Sequence, residues 1–154
     1  TSKPSKYQTK DKHDGSQLTD LRCDNQNDVS YRGHYRNVYI KDCKYVRLTQ
    51  LFAHNLVVEN SEVTMEDINI LSDAVAVDIS RSFITMTNAT LAGDTALKIN
   101  NSTLDMAGTR LVSEVNGIEV VADSLIYVSV SQYDQDNNIQ FLHGMSQGNV
   151  FDLR

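Results

Sequence analysis

Three methionines, Met65, Met86 and Met106, recur at spacings of 21 and 20 residues, and their neighbours recur with them. Ser61-Glu62-Val63-Thr64-Met65 aligns with Ser82-Phe83-Ile84-Thr85-Met86 and with Ser102-Thr103-Leu104-Asp105-Met106, and Ser124-Leu125-Ile126-Tyr127-Val128 follows 22 residues after the last. Within each block apolar residues alternate with others, the signature of a half-buried strand. A fixed period of this length means stacked structural repeats. The Met column is therefore core, where a flexible thioether fills gaps between aliphatic stacks.

A second strand has the same period, with inward pairs Val38/Ile40, Leu56/Val58, Val77/Ile79, Leu97/Ile99 and Ile118/Val120. Leu51, Ile70, Leu91 and Leu111 form a third column. Three short strands per 18–22 residues describe one coil of a three-sided solenoid, each coil about 4.8 Å from the next. The rung length varies, which argues against the strict hexapeptides of a left-handed β-helix. Neither a helix nor a Leu/Asn consensus marks a leucine-rich repeat, and period-two alternation excludes helical repeats. The expected fold is all-β: a right-handed parallel β-helix of about six coils of ~20 residues with a C-terminal cap.

Cys23 lies 20 residues before Cys43, and Cys43 stands three residues after Ile40, as Ser61 stands after Val58. The two cysteines are expected at equivalent positions on adjacent rungs, where Cα atoms approach closely enough for a disulfide. Such a bond closes a 20-residue loop and implies an oxidising compartment, so a periplasmic, secreted or cell-surface location.

Residues 1–17 contain four Lys and no aliphatic residue and read as a flexible leader or linker. Residues 18–154 form one β-helix domain, with coils over 18–130 and a cap over 131–154. A net charge of −6 conceals +4 in residues 1–50 and −10 in residues 51–154. A solenoid keeps sequence order along its axis, so this asymmetry becomes an end-to-end polarity suited to a polyanion or to head-to-tail association. No apolar run is long enough to span a membrane.

Catalytic signals are weak. Asp78, Lys98 and Glu119 alternate acid and base on successive rungs and read as a charge ladder. Asp134, Asp136 and Asn138 imitate the start of a calcium loop, but Ile139 and Met145 stand where Gly and Glu are required. Asn88 and Asn101 read as turn residues. His13, His34, His54 and His143 share no metal spacing, and no motif implies a metal or other cofactor.

The stretch from Tyr31 to Arg47 places Tyr31, Arg32, Tyr35, Arg36, Tyr39, Tyr45 and Arg47 within 17 residues. Tyr39 falls between inward Val38 and Ile40 and so points outward. Exposed aromatic rings stack on sugars, and Arg grips carboxylate or phosphate. These seven residues are the candidate ligand-binding set for a glycan, an acidic polysaccharide or a protein partner. The acidity of the chain argues against nucleic acid.

The coil pattern over residues 21–130 resembles the right-handed β-helix superfamily, which includes pectate lyases, polygalacturonases, phage tailspikes, adhesin passenger domains and bactofilins. Its enzymes carry clustered Asp or Arg on consecutive rungs of a groove. The column Thr64, Thr85, Asp105, Tyr127 lacks that cluster. The reading is a non-enzymatic, extracytoplasmic module that binds through its basic, aromatic N-terminal end. The alternatives are a self-assembling scaffold and a polysaccharide lyase or hydrolase.

Overall fold

A computed structural model describes residues 18–135 with their side chains, and the backbone of residues 138–148. The described residues form twelve strands and no helix: Leu21–Asp24 (β1), Asn27–His34 (β2), Asn37–Lys41 (β3), Lys44–Ala53 (β4), Asn55–Glu59 (β5), Glu62–Leu71 (β6), Val75–Ser80 (β7), Phe83–Asn100 (β8), Thr103–Ala107 (β9), Arg110–Ala122 (β10), Ser124–Gln135 (β11) and Asn138–Gly148 (β12). Every pairing is parallel except that of β11 with β12. The strands wind into a β-solenoid of about six coils, each with three sides. The first side comprises β1, β3, β5, β7 and the ends of β8 and β10. The second comprises the starts of β2, β4, β6 and β8, then β9 and the start of β11. The third comprises the remainder.

The core is a set of columns running through the coils. Leu48, Met65, Met86, Met106 and Val128 stack in register and are buried. The inward pairs of the first side also stack as the sequence implied, with Ile118 buried and Val120 packed against the core edge. Leu51 is buried but belongs to a different column from the one expected. It pairs with Ile68, and Ala53 stands with Ile70, Leu91 and Leu111. From the second coil onward the steps between the second and third sides are uniform, and the discrepancy arises at the third corner. From the inner column of the third side to that of the first, the chain takes three residues after Ala53 but seven after Ile70. That corner absorbs most of the variation in rung length.

The other two corners turn through left-handed backbone. Asn25, Asp42, Asn60, Arg81 and Asn101 have φ between 46° and 56° at the first; Gln50, Asp67, Asn88, Gly108 and Val130 lie between 46° and 60° at the second. Asn, Asp and Gly dominate because short polar side chains, or none, tolerate this region.

Directly after the first corner runs a buried serine ladder. Ser82 Oγ accepts from Ser61 N–H at 3.0 Å and donates to Ser80 O at 2.7 Å. Ser102 and Ser124 repeat both bonds one coil further each time, and Ser61 accepts from Cys43 N–H. Each hydroxyl thus satisfies a backbone donor that the turn would otherwise leave orphaned in the core.

The disulfide Cys23–Cys43 is present, with Cα atoms 6.6 Å apart. The expected equivalence of the two positions is not. Cys23 pairs in register with Ile40, and Gln26 occupies the place of Cys43 one coil earlier, its N–H donating to Cys43 Sγ at 3.5 Å. The first coil advances 17 residues, from Leu21 to Val38, so a 20-residue count overshoots the register by three. The bond therefore runs obliquely between the wall and the corner, and it still staples the first coil to the second.

The coil continues beyond Val130. β11 runs to Gln135, and Tyr133 is buried opposite Leu111, its hydroxyl accepting from Ser113 Oγ at 3.0 Å. Asp134, read as part of a loop, lies in this strand with Arg110 Nη2 at 2.5 Å. β12 then folds back antiparallel along the second and third sides of β11. Residues 1–17 of the expected leader lie outside the described residues.

Candidate interaction surface at the N-terminal coils

Tyr31, Arg32, Tyr35, Arg36, Tyr39, Tyr45 and Arg47 all fall on the first two coils, distributed over several surfaces of the prism. Tyr31 is in the methionine column, in register with Leu48, and its half-buried ring packs on the core. Tyr31 Oη donates to Gln26 Oε1 at 3.1 Å. Tyr35 also packs against the core, its hydroxyl donating to Arg32 O at 2.7 Å. These two rings cover the core at the first of the described coils.

On the first side, Tyr39 faces outward as expected. It is in register with Arg22, whose guanidinium lies 4.3 Å from the ring centroid, a cation–π pair. Arg36, where the chain enters this side, pairs with Asp20 at 3.4 Å. Asp20 Oδ1 also accepts from Asn37 Nδ2 at 3.2 Å. Desolvation is the largest single influence on the Asp20 carboxyl and acts upward, but the Asn37 hydrogen bonds and the Arg36 guanidinium together outweigh it and hold the group below its usual range.

On the second side, Lys44, Tyr45 and Arg47 are exposed along β4, and Arg32, beyond them in β2, donates to Gln50. Tyr45 is 62% exposed with φ of 58°. It is the extra residue of a β-bulge: two residues separate Cys43 from Val46, where one separates Ser61 from Val63. Asp28 sits in the same bulge one coil earlier, also with φ of 58°. A bulky side chain in the left-handed region is an uncommon and strained arrangement. Bulges re-aim side chains, and this one turns the Tyr45 ring into solvent next to Lys44 and Arg47.

Beyond Arg32 the surface dips into a hollow of about 330 Å³ on the third side, lined by His34, Gln50, Leu51, Phe52, Asp67 and Asn69. The Phe52 ring lies edge-on to both His34 and His54, at 5.9 and 5.3 Å.

The seven residues therefore divide into an end cover (Tyr31, Tyr35), a first-side group (Arg36, Tyr39) and a second-side group (Arg32, Tyr45, Arg47). Sequence reasoning overlooked Lys44 and Arg22. Lys44 adjoins Tyr45 and could have been included by proximity. Arg22 becomes visible only when the 17-residue register of the first coil places it against Tyr39. No protein-family model, no curated protein and no solved structure matches this chain.

Proposed function

We propose that the chain is an extracytoplasmic, non-catalytic recognition module that binds acidic polysaccharide on the second side of its first two coils. The observation that carries this reading is Tyr45, an exposed aromatic ring held in strained backbone between Lys44 and Arg47. Strain of this kind persists where the surrounding structure enforces it, and it concentrates at functional positions. An aromatic face packs on the apolar side of a sugar ring. Flanking cations meet its carboxylates, with Arg offering a two-pronged fork. The Cys23–Cys43 disulfide fits an oxidising compartment.

Binding without turnover is favoured by the outward column of the second side, Arg47, Thr64, Thr85, Asp105, Tyr127. Asp105 has Thr and Tyr as its neighbours along the axis, whereas glycoside hydrolysis uses two carboxyl groups flanking one bond. Head-to-tail assembly is disfavoured by β12, which occupies the place of a further coil on two of the three sides.

The test is titration of the purified chain with polygalacturonate, alginate and heparin at several salt concentrations. Salt-dependent binding of at least one polymer is expected, weakened at least tenfold by Tyr45→Ala combined with Arg47→Ala. Tyr39→Ala with Arg36→Ala should leave it nearly unchanged. Failure of all three polymers to bind at physiological salt would overturn the reading.

A further inference from the structure

A second concave surface lies away from the basic coils. An open groove of about 830 Å³ follows the first corner through coils four, five and six. Its floor is the serine ladder, Ser82, Ser102 and Ser124, whose hydroxyls are already engaged with the backbone. Arg81, Asn101 and Asp123 form one rim, and Thr103 and Leu125 the other. Phe83 follows Ser82, stands in register with Thr103, and is 54% exposed beside the groove.

Two features of this groove are not explained by the needs of the coil. The first is Arg81. Its corner position is taken by Asn25, Asp42, Asn60 and Asn101 on other coils, residues that accept left-handed backbone at little cost. Arg81 holds φ of 46° there without that advantage. Its guanidinium is fixed by Glu59 Oε2 at 2.6 Å, yet the side chain remains 52% exposed, with further donors directed to solvent. The second is Phe83, a large apolar ring at an outward position where neighbouring coils carry Glu62 and Thr103.

We infer that this groove is a binding site for an uncharged saccharide chain lying along the solenoid axis. The Phe83 ring offers a platform for the C–H face of one sugar. Arg81, Asn101 and Asp123 present planar donor and acceptor groups on successive coils, the type of group that bridges neighbouring hydroxyls. The coil spacing of about 4.8 Å is close to the advance of one residue in an extended β-linked glycan, so successive sugars meet successive rungs. Arg81 is neutralised by Glu59, and Asp123 is an acid, so the groove has no excess positive charge with which to hold an anionic polymer. The site does not depend on the basic surface of the first two coils.

The experiment is calorimetric titration of the intact chain with cellohexaose, mannohexaose, xylohexaose and chitohexaose, all uncharged. At least one is expected to bind with an affinity that hardly varies with salt. Phe83→Ala should weaken it about tenfold, the value of one aromatic contact, and Phe83→Trp should preserve it. Asn101→Ala should weaken it several-fold, and Tyr45→Ala with Arg47→Ala should leave it unchanged. The inference is overturned if none of the four binds at millimolar concentration, or if binding survives both Phe83→Ala and Asn101→Ala.

Discussion

The first two coils and coils three to five use one architecture under different rules. In the later coils Met65, Met86 and Met106 repeat in register, the serine ladder runs unbroken, and each coil takes about 20 residues. In the first two, the register advance is 17 and then 18 residues, bulges interrupt the second side at Asp28 and Tyr45, a tyrosine replaces the methionine, and a disulfide joins the coils. A middle coil has a neighbour on each side and is stabilised by stacking alone. A terminal coil has one neighbour, so a covalent bond and aromatic cover supply part of what the missing coil would give. Relieved of strict repetition, the end can present diverse side chains.

Core truncation should separate the two regions most strongly. Met86→Ala removes a fully buried side chain between two buried neighbours, and about 2–5 kcal/mol should be lost in denaturant unfolding. Tyr31→Ala, at the half-buried equivalent position of the first coil, should cost about 1 kcal/mol. Equal losses would mean that the end coil is as tightly integrated as the middle.

Removing the cross-link sharpens the same contrast. Cys23→Ser with Cys43→Ser should cost about 3 kcal/mol for a loop of this length. Cys43→Ser supplies the hydroxyl that the column uses in later coils, so the variant reports mainly on the cross-link. Hydrogen exchange should accelerate in β1 to β3 while β7 to β9 remain protected. Uniform acceleration would show a single cooperative unit and dissolve the distinction.

The middle coils were legible in the sequence because their evidence is repetition itself: identical residues at a fixed spacing specify both register and burial. Where repetition stops, the same reasoning miscounts. Cys43 was correctly aligned with Ser61, but extending a 20-residue step back to Cys23 assumed a coil length that the first coil does not have. The pairing survived because a disulfide tolerates a range of Cα separations. Leu51 was misplaced because an apolar residue two positions away satisfies the same alternation; the constant step from Leu48 and Met65 separates the two, whereas a count across the variable third corner does not. The Tyr31–Arg47 cluster was visible as composition, but its division among the sides depends on the bulge at Tyr45, which no residue pattern announces. Arg81 and Phe83 carried a readable signal: Arg81 breaks a column of Asn and Asp, and Phe83 stands between Glu62 and Thr103.

Within the middle region, Ser82→Ala should cost about 1–3 kcal/mol, since it leaves the buried Ser61 N–H without its acceptor. Ser30→Ala, on the outward face of the first coil, should be nearly silent in the same thermal unfolding assay. Val130→Gly should act in the opposite direction. Val130 is 81% exposed, and a β-branched residue with φ of 46° occupies the corner that Gly108 fills one coil earlier. Relief of that conformation exceeds the added flexibility of the unfolded chain by about 0.5–1 kcal/mol, read as a higher unfolding midpoint.

The smallest expected effect is a pH dependence confined to the end. Asp20 is ionised more readily in the folded chain than in the unfolded one, because Asn37 and Arg36 favour its carboxylate. The folded state therefore binds fewer protons than the unfolded state in the acidic range. The resulting stabilisation is present above the unfolded carboxylate pKa and disappears as pH falls through the lowered folded value. Arg36 N–H also donates to Thr19 O, so this contact ties the entering chain to the start of the second coil. Acidification should release protection at β1 and the start of β3 before the middle coils respond, and Asp20→Asn should abolish that early step. If β7 and β8 open at the same pH as β1, in both the parent chain and the variant, then acid sensitivity belongs to the acidic body of the solenoid and the end coil has no separate titration.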